Sequence, residues 1–62
     1  MKQPGYWYFS QDDVLFIVYP DGQVEISCEG EWGPIWKFVS RNDAQYWHRN
    51  GLQFGDEFVG EL

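Results

Sequence analysis

Cys28 and His48 are the two side chains that could form a nucleophile and base, and the chain has one residue of each type. Such a pair works when the imidazole takes the thiol proton and the thiolate attacks. Nothing in the spacing brings the two together. No helix N-terminus or basic cluster flanks Cys28 to stabilise a thiolate. Cys28 continues the apolar parity of Val24 and Ile26, which predicts a buried structural thiol. His48 stands beside Trp47 on a helical stretch and reads as a partly buried packing residue. No catalytic residue is assigned, and the chain is expected not to be an enzyme.

Other chemistries are equally short of residues. One Cys and one His cannot complete a four-ligand zinc site. Asp56, Glu57 and Glu61 are too sparse for a calcium loop. No Gly-rich stretch links a strand to a helix, so there is no phosphate loop. No cofactor or metal residue is assigned. Ten acidic against four basic residues give a formal charge of −6. That sign opposes direct contact with nucleic acid or anionic lipid and suits a basic protein partner. Aromatic residues make up 21% of the chain, more than a small core is expected to hold, so some should be exposed.

The elements that would position these groups are strands. Tyr6–Phe9 is aromatic, and Val14–Tyr19 is apolar throughout. Val24, Ile26 and Cys28 alternate with Glu25 and Ser27. Tyr19-Pro20-Asp21-Gly22 is a turn: Pro20 pre-sets φ, Asp21 can bond its own backbone and Gly22 can take positive φ. Glu29–Pro34 has two Gly and one Pro in six residues, and is expected to be irregular. Ile35–Val39 reads as a fourth strand, with Ile35, Lys37 and Val39 on one face and Trp36 and Phe38 on the other. Lys37 marks it as an edge.

Ser40 is a good N-cap with Asp43 three residues on, and Ala44, Trp47 and His48 share a helical face. The helix is expected over about 41–50, with Gly51 as a left-handed terminator, Leu52 packing back on Trp47, and Trp47 as the anchor on the sheet. Leu52–Phe54 alternates and is the candidate for a fifth strand, with a turn at Gly55–Glu57.

These readings define one small domain over residues 1–62, with 1–5 and 60–62 frayed. The fold class is α+β: an antiparallel meander of four short strands, with a candidate fifth, and one short helix on one face. Pro4-Gly5 ahead of an aromatic meander invites comparison with WW domains. The second Trp and its Pro partner, due near Cys28, are absent, and the chain continues with a strand and a helix.

The helix can cover one face only, yet Val14–Tyr19 is apolar on both. The expected function is therefore a non-catalytic protein-binding domain. One form is an accessory or regulatory subunit docking through aromatics. The other is an inhibitor whose carboxylates engage a basic, nucleic-acid-binding protein. The residues expected at the interface are Asp12, Asp13, Glu29, Glu31, Trp32, Trp36, Asp56 and Glu57. A different class is a carbohydrate or small-ligand module using Trp32 and Trp36 beside the Glu29–Glu31 loop, against the plainer expectation that both Trp belong to the core. Self-association through the edge strand would also hide surplus aromatics. There is no leader-like or membrane-spanning run, and a lone thiol suits a reducing cytoplasm.

Overall fold

Turn chemistry and alternation order most of the chain. The computed structural model describes residues 2–62. Strands β1 (Gly5–Phe9), β2 (Val14–Val18), β3 (Val24–Gly30) and β4 (Gly33–Phe38) run antiparallel. A fifth, β5 (Asp56–Gly60), returns beside β1, giving the order β4-β3-β2-β1-β5 with β2 in the middle. The β2–β3 turn closes by the means its sequence implies. Gly22 sits at φ 90° and its N–H donates to the Tyr19 carbonyl at 2.9 Å. The Gln23 N–H donates to Asp21 Oδ1 at 3.0 Å, an Asx bond.

Register sorts the side chains onto two faces. Trp7, Phe9, Val14, Phe16, Val18, Val24 and Ile26 share one face through the pairs Trp7↔Phe16, Phe9↔Val14, Val18↔Val24 and Phe16↔Ile26. The helix covers this face. Ala44, Leu52, Phe9, Phe16, Val18 and Val24 form the buried core, and Trp47 packs against it with its ring 4.9 Å from Phe16 and 6.0 Å from Phe9. Burying a Leu or Phe side chain contributes about 1.5–3 kcal/mol, so this contact, not local propensity, holds so short a helix.

Helix α1 (Arg41–Tyr46) starts as expected, with the Asp43 N–H donating to Ser40 Oγ at 3.2 Å. Its end differs. Trp47–Gly51 forms one wide π turn, closed by the Leu52 N–H donating to the Trp47 carbonyl, five residues back. In a regular α-helix Leu52 would point about 80° away from Ala44. The extra residue in the wide turn sets the phase back by one position and brings Leu52 into the core. Gly51 is therefore helical, not a left-handed terminator. It is buried against the Trp47 ring, and a Cβ there would overlap that ring.

Three further expectations are corrected. Glu29–Pro34 is not irregular: β3 and β4 run through it, pairing Glu29↔Pro34 and Gly30↔Gly33 around the two-residue turn Glu31-Trp32. Pro34 fits because β4 is an edge strand and needs no outward N–H. The fifth strand is Asp56–Gly60, not Leu52–Phe54, because Leu52 is taken by the core and β1 offers a free edge to pair with. Gly5 and Gly60, expected to fray, lie in β1 and β5. The expected loose lead-in also includes Met1, which lies outside the described residues.

Candidate functional site

Cys28 and His48 sit at opposite ends of β3. His48 Nε2 lies 3.5 Å from the Gly22 carbonyl oxygen, and Cys28 is six residues further along, about 20 Å of extended chain. They do not form a pair. Cys28 is also not a core residue. It keeps the parity of Ile26 but lies beyond the helix, half-buried, with Sγ 3.9 Å from the Ile26 carbonyl.

The second face of the sheet carries the rest. The pairs Tyr6↔Ile17↔Glu25↔Phe38 form one row across it, and Tyr8↔Glu57 and Ser27↔Trp36 belong to the next, with Leu15 paired to Tyr8. Among the described residues no element lies over this face. Tyr6, Leu15 and Trp36 are each 38% exposed and Phe38 is 62% exposed. Ile17 is buried between its neighbours. Tyr19 stacks obliquely on Phe38, ring centres 5.8 Å apart, while its hydroxyl donates to Glu25 Oε1. The Tyr8 hydroxyl donates to Asp13 Oδ1 at 2.8 Å. Both carboxylates hold their phenol in the protonated form, so both tyrosine pKa values rise above 10.0; the hydrogen bond is the main cause and desolvation the next.

A cleft of about 720 Å³ opens at one end of this face. Its origin is in the ladders. The β2–β3 ladder stops at Phe16↔Ile26, whereas β1–β2 continues to Phe9↔Val14 and β3–β4 to Gly30↔Gly33. The β3–β4 hairpin thus parts from β2. Val14, Leu15 and Pro34 supply apolar lining to the gap, Asp13 and Glu29 supply carboxylates, and Ser27 and Cys28 line it as well.

Antiparallel topology gathers most of the expected interface residues at this end of the sheet, because the β1–β2 and β3–β4 turns and the start of β5 all lie there. It does not put them on one face. Glu29, Glu57 and Trp36 belong to the uncovered face, and Asp13 reaches it through Tyr8. Asp56 lies on the helix side, 3.5 Å from Lys2 Nζ, and Lys2 in turn sits over the Trp7 ring. Asp12 borders a separate hollow with Trp47 and Phe54. Glu31 and Trp32 form the hairpin tip, where Trp32 is 94% exposed. Trp32 and Trp36 are not core residues: Trp32 stands in the turn ahead of β4, and Trp36 lies on the face that the helix does not cover. Sequence reasoning missed Tyr6, Leu15, Tyr19 and Phe38, and counted Glu25 only among the carboxylates that could meet a basic partner. The opposite parity of Leu15, Ile17 and Tyr19 to Val14, Phe16 and Val18 was the available signal.

Among the described residues no group of three or more His, Cys, Asp or Glu is arranged to hold a metal ion, and no helix is long and apolar enough to cross a membrane. Comparison with protein-family models, with curated proteins and with solved structures finds no match.

Proposed function

We propose that this chain is a small, acidic, non-catalytic protein-binding domain that docks on a larger protein through the uncovered face of its sheet, as an accessory or regulatory subunit. One observation carries the reading: Tyr6, Leu15, Trp36 and Phe38 are exposed together on a face that no element covers. Exposed apolar side chains gathered on one face mark interaction sites, and aromatics are enriched at them. The alternative of an inhibitor imitating nucleic-acid phosphates needs carboxylates on one face. Here Asp12 and Asp56 lie with the helix and Asp13, Glu29 and Glu57 with the open face, which favours docking through aromatics. The lone half-buried thiol suits work in a reducing cytoplasm.

The test is capture from an extract of the native host by immobilised protein. A Trp36→Ala/Phe38→Ala variant should lose the captured partner, and Phe54→Ala, on the far side, should keep it. Equal capture by the Trp36/Phe38 variant and the parent sinks the reading. A second reading, a carbohydrate module, draws on the exposure of Trp32 beside the cleft. Its ring does not line that cleft, so a glycan should leave tryptophan fluorescence unchanged.

A further inference from the structure

The uncovered face has a sign as well as a texture. Its titratable acids are Glu25, Glu29 and Glu57, with Asp13 at its end. None of the four cations of the chain lies on it. Lys37 pairs with Ile26 and so has the opposite parity, Lys2 is held at Asp56 and Trp7, and Arg41 and Arg49 are on the helical segment. A second copy of this chain would bring carboxylates against carboxylates at a formal charge of −6 each. The face is therefore poorly suited to itself and well suited to a positive, apolar surface.

Resting on the docking reading above, we infer that the occupant of this face is a basic, apolar segment of a different protein. Its apolar side chains lie on Leu15, Trp36 and Phe38, and one Arg or Lys side chain enters the cleft between β2 and the β3–β4 hairpin. The cleft suits such a side chain at both ends. Val14, Leu15 and Pro34 provide apolar lining for an aliphatic stem. Asp13 and Glu29 meet the charged head. Asp13 spends one oxygen on the Tyr8 hydroxyl and keeps the other free, and Glu29 is exposed, with no ion-pair partner among the described residues. The unzipped ladder adds a further attraction: the inner edges of Val14–Leu15 and Ser27–Gly30 are not paired with each other, so an extended segment entering the gap can bond to backbone groups there.

The probe is the end-blocked tripeptide Leu-Arg-Leu, titrated into the isotope-labelled full chain at low salt and followed by NMR. Leu-Glu-Leu and Ser-Arg-Ser are the comparisons. Leu-Arg-Leu should shift the amides of Leu15, Ser27, Glu29 and Trp36, Ser-Arg-Ser should do so more weakly, and Leu-Glu-Leu should leave them in place. Glu29→Gln, an exposed change that spares the fold, should weaken Leu-Arg-Leu by about two- to fivefold, the range for one solvent-exposed ion pair. An equal response to Leu-Glu-Leu, a response centred on Tyr46 and Phe54, or a dimer in sedimentation that Trp36→Ala dissociates would each overturn the inference. If Trp36→Ala/Phe38→Ala abolishes capture from the extract while Leu-Arg-Leu leaves the cleft silent, docking stands and the basic occupant falls.

Discussion

Gly51 shows how a single residue can be legible in kind and misread in role. Gly after a helical run ordinarily predicts a left-handed stop, and the same residue is equally required where a backbone must lie against a ring. Only the second holds here. Both roles penalise an added Cβ, the first through positive φ and the second through overlap, and both differ in sign from a plain helical position. In an ordinary helix interior, Gly→Ala stabilises by about 0.5–1 kcal/mol. At Gly51 the added methyl meets the Trp47 ring, and overpacking typically costs about 1–3 kcal/mol. Gly51→Ala should therefore lower stability in chemical denaturation, and the loss should shrink in a Trp47→Phe background, where the overlapped six-membered part of the indole is gone. A gain in stability would contradict the packing. Cys28 teaches a similar lesson. Its parity was correct, but parity assigns a face and not a depth. Burial at that position depends on how far along the strand the helix reaches.

At the scale of elements, what could be read was what local chemistry dictates. The Tyr19–Gly22 turn, the Ser40 cap and the central place of β2 all follow from residues near one another in sequence. What escaped depends on partners far away. Asp56–Gly60 has no strong strand signature and becomes a strand because β1 presents an open edge. Gly30, Gly33 and Pro34 look like breakers, yet they sit in a tight hairpin at the sheet margin. Each of the first two hairpins also carries a phenol–carboxylate clasp. Tyr8 reaches Asp13 in the β1–β2 turn, and Tyr19 reaches Glu25 from β2 to β3. Both phenols have their pKa raised above the ordinary 10.0. A group whose folded pKa is raised stabilises the fold fully below its unfolded pKa, and that contribution is lost as pH climbs through the folded value. The clasps should thus be intact at neutral pH and fail only in alkali above 10. Ultraviolet titration of phenolate should show two late-ionising tyrosines, one lost in Tyr8→Phe and the other in Tyr19→Phe. Two late-ionising tyrosines remaining in either variant would assign the effect elsewhere.

For the whole molecule, charge and fold pull against each other. Ten acids face four bases, and Lys2–Asp56 is the ion pair among the described residues. Like charges on so small a body repel, and net charge far from zero weakens the compact state. Salt screens that repulsion over a Debye length of about 10 Å at 0.1 M and about 3 Å at 1 M. That pair is largely buried, its side chains 28% and 7% exposed, so salt screens it less than it screens the exposed carboxylates and does not reverse the trend. Moving from low salt to 0.5 M sodium chloride should therefore raise the thermal midpoint, by several degrees if screening recovers about 1 kcal/mol in a domain this short. The same salt should weaken a basic partner, because the carboxylates that repel one another in the free domain are those that attract it. Opposite responses to one variable separate the fold from the interface: a midpoint that rises while binding falls is expected. A midpoint that falls with salt would mean that attractive pairs, not surplus acids, govern this molecule, and the uncovered face would lose its claim to a basic partner.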